Sequence, residues 1–333
     1  MKIDFETVNC DLCNSSDYEL FASQTDLMHK STKKFFNVVS CKNCGLKFTN
    51  PRPTKGSISN FYISKYSYHQ NIPKYKLILR KFISKLVELK FLSFLSFIFP
   101  NKLNQLLISY IKPKIKDPVL LFIDTYSKKK KINFIDVGCG SGFNVHFWGA
   151  SSSIRNLSKK INVYGIEPSI NGREILVNDK FKVFESIDKV PKNKKFEIIR
   201  FNWSLEHVHK PKLYFQFIKD HLSKDGIAII CVPNINGLIY KIDKNCLELP
   251  IHLFHFDKYS LNKYANLNNL ELTYFRTFSY PGMYAYAKKI GFLKSDYKFD
   301  KITLFEAINF MKIHKEIDSL EMGNDLIGIF KHK

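Results

Sequence analysis

The sequence predicts an α/β fold in which helices cover both faces of a seven-stranded, mostly parallel sheet, with two smaller segments before it. Strand and helix signals alternate from about residue 132 to 240, as expected for a parallel sheet between helical layers. Apolar residues recur at three- and four-residue spacing over much of 61–130, which indicates helices. Two C-x-x-C pairs within the first 45 residues indicate a small module of another kind.

These signals divide the 333 residues into three parts. Residues 1–60 form the cysteine-containing module, residues 61–130 a helical linker or lid, and residues 131–333 the α/β domain, with an insertion at about 281–320. Within that domain we expect strands at 133–137, 162–167, 181–184, 196–201 and 227–232, with 270–275 and 326–330 completing the sheet. Helices are expected at 143–157 and 214–222, and Asp225-Gly226 is expected to turn into the fifth strand.

Composition restricts the classes of partner and location. The net charge is +22, but lysine supplies 46 of the 52 basic residues, whereas arginine makes the bidentate contacts with phosphates and bases. We therefore favour compositional drift on a solvated surface over nucleic-acid binding, and peripheral contact of the helices with an anionic membrane stays a further hypothesis. The most apolar stretch, 91–100, has about half of the ~20 residues that span a bilayer. No signal peptide or transmembrane segment is expected, and the predicted location is cytoplasmic.

Three glycines at alternate positions follow the first strand of the α/β domain and precede a predicted helix. Gly138, Gly140 and Gly142 allow a tight turn with positive φ and a close approach of a ligand to the backbone. Asp136 lies at the strand end before them, and Glu167 ends the second strand, where a carboxylate can accept hydrogen bonds from both hydroxyls of a ribose. This pattern predicts a nucleoside-containing cofactor, and dinucleotide-binding folds use a related turn.

Four segments in order carry a resemblance to a known family. Phe134-Ile-Asp-Val-Gly-Cys-Gly-Ser-Gly142 resembles motif I of the class I S-adenosylmethionine-dependent methyltransferases, and Val163-Tyr-Gly-Ile-Glu-Pro-Ser169 resembles their acidic second motif. The segments at 196–208 and 222–234 are similar to the fourth strand with its loop and to the fifth strand. The resemblance covers about residues 132–280 and implies a Rossmann-like sheet.

The resemblance also implies roles for individual residues. Asp136 and the glycines would hold the methionine part of S-adenosylmethionine, Glu167 the ribose, and the segment after the third strand the adenine, while the loop at 205–207 would lie beside the methyl group. The cofactor-binding residues implied in this way are Asp136, Gly138, Cys139, Gly140, Gly142, Glu167, Pro168, Ser186, Ile187, Asp188, Asn202 and Leu205.

The paired cysteines predict a structural zinc site. Cys10/Cys13 and Cys41/Cys44 each present two thiolates, and four thiolates complete a tetrahedral Zn²⁺ shell with no open position. The block from Cys10 to Pro53 resembles the zinc-ribbon segment that precedes many bacterial methyltransferases of cell-surface polysaccharide or secondary-metabolite pathways. The two resemblances together imply O- or C-methylation of a small or sugar-linked acceptor.

Histidines are the candidates for removing the acceptor's proton, since their pKa lies near neutral pH. His207 follows the fourth strand and His252 lies in a Pro-x-His segment, with His255 as its rival. No Asp/Asn-Pro-Pro-Tyr/Phe motif follows the fourth strand, which argues against N-methylation of bases. An RNA-modifying methyltransferase that uses the ribbon and the lysine-rich surface is the alternative. The sequence names neither the acceptor nor the atom that is methylated.

Overall fold

The computed structural model describes residues 3–26, 31–62, 132–142, 161–178, 181–242, 247–279 and 316–333. The chain forms two compact units, one of residues 1–66, 201–219 and 230–333 and the other of residues 67–200 and 220–229. The predicted helix at 143–157, nearly all of the helical segment at 61–130 and most of the insertion at 281–320 lie outside the described residues.

The described strands and helices follow in chain order. They are β1 (Phe5–Glu6), β2 (Tyr18–Gln24), β3 (Phe36–Cys41), β4 (Lys47–Thr49), β5 (Arg52–Pro53), β6 (Ile132–Val137), β7 (Ile161–Ile166), α1 (Ile170–Asn178), β8 (Lys182–Phe184), β9 (Phe196–Asn202), α2 (Pro211–His221), β10 (Leu222–Pro233), α3 (Leu238–Ile242), β11 (Phe254–His255), α4 (Lys258–Leu267), β12 (Leu270–Phe278) and β13 (Asp325–His332). Short 3-10 helices occur at Ile58–Phe61, Ile187–Lys189 and Leu205–His207.

The larger sheet has seven strands in the order β12-β13-β10-β9-β6-β7-β8. β6 pairs with β7 and β7 with β8 in parallel, whereas β12 and β13 are antiparallel. All but one residue of β6 is buried, as expected for an inner strand whose two faces are both covered. The predicted α/β fold with a seven-stranded, mostly parallel sheet is confirmed, and each predicted strand occurs.

Two predicted boundaries differ from the observed ones. α2 begins at Pro211 rather than Tyr214, because proline fits the first position of a helix, where no backbone donor is needed. β10 begins at Leu222, so Asp225 and Gly226 lie inside this strand instead of turning into it. At Gly226 a Cβ atom would lie 3.0 Å from the carbonyl oxygen of Glu197 and 2.9 Å from atoms of two other side chains, so glycine permits this close packing.

A second sheet has four strands in the order β11-β4-β3-β2, and β1 pairs with β5 in a separate two-stranded sheet. A hydrophobic core packed on the four-stranded sheet contains the fully buried Phe36 and Val38 of β3. The rings of Phe36 and Phe61 meet edge to face there, with centroids 5.7 Å apart. β11 adds Phe254 opposite Phe48 of β4. In the part of the chain that is described, no helix is long and apolar enough to cross a membrane.

His255 is a buried titratable group within the four-stranded sheet. It lies opposite Lys47, and its Nε2 atom is 3.4 Å from the Thr49 hydroxyl. Burial, with smaller contributions from His252 and Lys47, lowers the pKa of His255 to about 3. The ring is therefore neutral in the folded protein at neutral pH. His255 has the environment of a structural histidine.

We expect this burial to make folding acid-sensitive. Because the unfolded chain binds a proton at His255 below about pH 6.5 while the folded chain does so only near the lowered pKa, the free energy of unfolding should fall as pH drops from about 6.5. Urea unfolding at several pH values measures the slope, and His255→Asn should flatten it. The control is His332→Asn, near the C-terminus. Equal slopes in His255→Asn and the parent protein would contradict the prediction.

Candidate functional site

The glycine turn at the end of β6 has the geometry expected from its sequence. Gly138, Gly140 and Gly142 adopt φ values of 75°, 54° and 86°, which residues with a side chain rarely adopt. The amides of Gly138 and Cys139 both donate to the carbonyl oxygen of Ile166, at 2.8 and 3.0 Å. The turn is thereby fixed against the end of the neighbouring strand β7.

Two buried carboxylates lie at this turn. Asp136 is 1% exposed and Glu167 is 3% exposed. Glu167 accepts hydrogen bonds from the amide of Gly140 to Oε2, at 2.7 Å, and from the amide of Ser169 to Oε1, at 2.8 Å. A carboxylate offers about four acceptor sites, and these two hydrogen bonds use one on each oxygen. A group of this kind is an acceptor for hydroxyl donors, and here it also holds the turn.

Two glycines outside the predicted set also define this site. A Cβ atom at Gly165 would lie 2.6 Å from the sulfur of Cys139, and one at Gly172 would lie 2.9 Å from Cγ of Glu167 and 3.1 Å from the carbonyl oxygen of Gly140. Each glycine therefore permits a close approach to the turn. In the sequence, the only indication that these glycines belong to the site is their position, two residues before Glu167 and five residues after it.

The remaining predicted cofactor residues occupy the ends of the following strands. Pro168 is exposed, and the carbonyl groups of Glu167 and Pro168 both accept from Nη1 of Arg173. Ser186 precedes the 3-10 helix Ile187–Lys189, which contains Ile187 and Asp188. Asn202 ends β9, and Leu205 is fully buried in the 3-10 helix Leu205–His207.

The residue between β9 and that 3-10 helix has an uncommon backbone conformation. Trp203 adopts φ 51°, its amide donates to the carbonyl oxygen of Cys231, and its indole Nε1 donates to Oδ1 of Asp325 at 2.8 Å. Burial raises the pKa of Asp325 to about 7, against the opposing effect of the indole hydrogen bond. Sequence inspection did not identify this contact, because Asp325 follows Trp203 by 122 positions.

The two predicted catalytic histidines lie in contact with each other. The rings of His207 and His252 meet edge to face with centroids 4.7 Å apart. Nδ1 of His207 lies 3.0 Å from the carbonyl oxygen of Ile251 and 3.2 Å from the hydroxyl of Tyr62. Because a carbonyl only accepts, the contact with Ile251 is a hydrogen bond in the tautomer that has its proton on Nδ1 and its lone pair on Nε2. Tyr62 was not among the predicted site residues.

His252 is buried and lies beside an acid. Its Nε2 atom is 3.4 Å from Oε2 of Glu248, and its own carbonyl oxygen accepts from the hydroxyl of Thr49. The ring also lines a small, mainly apolar cavity with Tyr240 and Leu247. His255 borders the same cavity.

Glu206 completes this group of residues. Its side chain is 1% exposed, and its Oε1 atom lies 4.0 Å from Nε2 of His207. Burial raises the pKa of Glu206 well above its usual range, and the nearby carboxylates of Glu248 and Asp325 raise it further. The resemblance placed Glu206 beside the methyl group but gave it no chemical role.

The two C-x-x-C segments have nearly the same local geometry. Asn14 and Gly45, which follow the second cysteine of each pair, adopt φ values of 62° and 76°. Their amides donate to the carbonyl oxygens of Cys10 and Cys41, both at 2.8 Å. The four sulfurs lie within 4.8 Å of one another, with Cys10 and Cys44 separated by 3.4 Å. The predicted cysteine residues therefore form one cluster, and its geometry fits a zinc ribbon.

Asp11, inside the first pair, joins this cluster to the core. Its Oδ2 atom accepts from the amide of Lys212, in the first turn of α2, at 2.9 Å and from the hydroxyl of Tyr264 at 3.0 Å. Tyr264 is fully buried and stacks on Phe215, with ring centroids 5.2 Å apart. The carboxylate thus caps a helix and satisfies a buried hydroxyl.

Similar solved structures come from several organisms. A S-adenosylmethionine-dependent methyltransferase from Archaeoglobus fulgidus is 15% identical, with a TM-score of 0.42, over 65% of this chain and 93% of that one. One from Clostridium acetobutylicum ATCC 824 is 12% identical, with a TM-score of 0.41, over 70% of this chain and 98% of that one. No curated protein matches the sequence.

A family profile gives the stronger result. The profile described as Methyltransferase domain matches residues 107–274, which is just over half of the chain. The matched range contains the glycine turn, Glu167 and the 3-10 helix Leu205–His207. The chain therefore belongs to this methyltransferase domain family.

Proposed function

We propose that the protein transfers a methyl group from S-adenosylmethionine to a small or sugar-linked acceptor, by O- or C-methylation. The observation that carries the proposal is the buried carboxylate of Glu167 bound to the glycine turn at Gly140. A carboxylate acceptor of this kind fits a ribose, whose two neighbouring hydroxyls donate. The family match supports methyl transfer as the reaction.

The proposed roles at the cofactor are those that the resemblance to the methyltransferase motifs implies. Glu167 would accept from the ribose hydroxyls, and Asp136 with Gly138–Gly142 would hold the methionine part. Ser186–Asp188 with Pro168 would border the adenine, while Asn202 and Leu205 would border the methyl-bearing end. S-adenosylmethionine supplies an activated methyl group, so the protein's main task is to hold the acceptor in line at about 3 Å.

An acceptor hydroxyl or carbon acid must also lose a proton. We infer that His207 and His252 promote this loss, since their rings touch and His207 keeps a lone pair on Nε2. Tyr62 and Ile251 fix the ring of His207 from its other nitrogen. The lowered pKa of His255 and its position within the four-stranded sheet favour His252 over His255 for this role.

We infer that the cysteine cluster binds one structural Zn²⁺ through Cys10, Cys13, Cys41 and Cys44. Sulfurs bound at about 2.3 Å in a tetrahedron lie about 3.8 Å apart. The observed separations of 3.4 Å for Cys10/Cys44 and 3.5 Å for Cys13/Cys41 are close to that value. Four thiolates leave no position for substrate, so the ion stabilises the ribbon and takes no part in the reaction.

Glu167→Ala should weaken S-adenosylmethionine binding about tenfold to hundredfold, because hydrogen bonds to a charged acceptor contribute roughly 1.5–3 kcal/mol. Glu167→Gln keeps one acceptor oxygen, so its affinity for S-adenosylmethionine should lie between those of Glu167→Ala and the parent protein. Isothermal titration calorimetry measures the affinity, and the exposed Glu321 changed to alanine is the matched control. An unchanged affinity in Glu167→Ala would remove Glu167 from the site.

Metal analysis after dialysis should find one tightly held zinc per chain in the cysteine cluster. Cys13→Ser should lower that content, and because Cys13 is exposed the substitution disturbs little packing. Cys231→Ala changes a buried cysteine outside the cluster and should retain the zinc. A folded parent protein without zinc would overturn the ribbon assignment.

The acceptor class can be tested with labelled S-adenosylmethionine and separate pools of nucleotide sugars, glycolipids and RNA. We expect the labelled methyl group to appear in a sugar-linked pool, and the Glu167→Ala variant measures the background incorporation. Label in RNA that disappears steeply with added salt would instead support the alternative, an RNA-modifying methyltransferase.

A further inference from the structure

The carboxylate of Glu206 is buried without a hydrogen-bond partner. Both oxygens are inaccessible, and neither has a donor within hydrogen-bonding distance among the described residues. Its single ion-pair contact in that part of the chain is with Nε2 of His207, at 4.0 Å. A buried carboxylate that lacks donors is costly unless a cation or a proton compensates it.

The side chains around Glu206 are arranged as the ligands of a cation would be. Glu206, His207 and His252 each offer one ligand atom, and these atoms all lie within 4.8 Å of one another. Ligands bound at about 2.0–2.2 Å to one ion lie at most about 4.4 Å apart, so small side-chain adjustments would close the set. The separation of 4.0 Å between Glu206 and His207 is too long for a hydrogen bond but suits two ligands of one ion.

The hydrogen bonding of His207 adds a second argument. In the tautomer whose Nδ1–H donates to the carbonyl oxygen of Ile251, the lone pair is on Nε2, the atom that lies 4.0 Å from Oε1 of Glu206. Metal-binding histidines usually donate their other ring nitrogen to a carbonyl or carboxylate in this manner. His252 also has a carboxylate beside it, with Oε2 of Glu248 3.4 Å from its Nε2 atom.

We propose that Glu206, His207 and His252 bind a divalent transition-metal cation such as Zn²⁺, Fe²⁺ or Mn²⁺, separate from the zinc of the cysteine cluster. Two imidazoles and one carboxylate are a donor set that suits these ions. Three protein ligands leave coordination positions open. An oxygen atom of the acceptor can occupy one of them.

The catalytic meaning of this site rests on the proposed function, whereas binding of the ion does not. With the ion bound, the two histidines act as its ligands, and the ion lowers the pKa of an acceptor hydroxyl coordinated to it. Binding is measured without acceptor or S-adenosylmethionine. A failure to bind the ion would leave methyl transfer standing, and a protein without methyltransferase activity could still bind it.

The test is a Co²⁺ titration of the purified full chain, with its cysteine cluster loaded with zinc. We expect one further equivalent to bind and to give visible d–d bands without a thiolate charge-transfer band, because nitrogen and oxygen ligands hold it. Binding of no equivalent beyond the cysteine cluster, or a spectrum with only thiolate character, would overturn the proposal.

Variants locate the ion. Glu206→Gln is nearly isosteric, removes the charge and should weaken Co²⁺ binding at least about tenfold, as should His252→Asn. Glu321→Gln changes an exposed glutamate and should bind like the parent protein. Circular dichroism checks that each variant is folded. If a variant unfolds, the number of Co²⁺ equivalents bound by the parent protein decides whether the site exists. Unchanged affinity in folded Glu206→Gln and His252→Asn would refute the assignment.

Discussion

The hydrogen bond from the Gly140 amide to Glu167 joins the ends of two neighbouring parallel strands. A parallel sheet brings these ends to one edge, but it does not by itself fix the loops that leave them. Glu167 fixes both loops, since its other oxygen accepts from Ser169 of its own loop. The tight contacts at Gly165 and Gly172 depend on the same arrangement, because each glycine packs on the turn or on the glutamate. One buried charge thus orders the turn before any ligand arrives.

A different organisation holds the acids and histidines that follow β9. Here the carbonyl oxygen of Ile251 contacts Nδ1 of His207, and the hydroxyl of Thr49 donates to the main-chain carbonyl oxygen of His252. The carboxylates of Glu206 and Asp325 are both buried, and each has a raised pKa. Burial disfavours the charged form of both acids, which is why their pKa values are raised. Such sites are frequently functional.

Local patterns could be predicted from the sequence, whereas contacts between distant residues could not. The glycine turn, Glu167 and the cysteine pairs are short motifs in which spacing dictates geometry, and the seven strands carry their own apolar signal. Tyr62 with His207, and Asp11 with Tyr264, are separated by 145 and 253 positions, and nothing in the intervening sequence indicates either pair. The start of β10 was misjudged because Asp225-Gly226 is a common turn signal, while here packing against Glu197 places glycine within a strand.

Asp11 links the cysteine cluster to residues that lie far away in the sequence. It contacts Lys212 in the first turn of α2, 201 positions later, and Tyr264, 253 positions later. β4 likewise takes its partner β11 from beyond residue 250. The N-terminal residues therefore cannot be regarded as a detachable adaptor. A shortened chain starting after Thr49 would leave β11 without its strand partner β4 and the hydroxyl of Tyr264 buried without its acceptor, so a study of this enzyme should begin with the entire polypeptide.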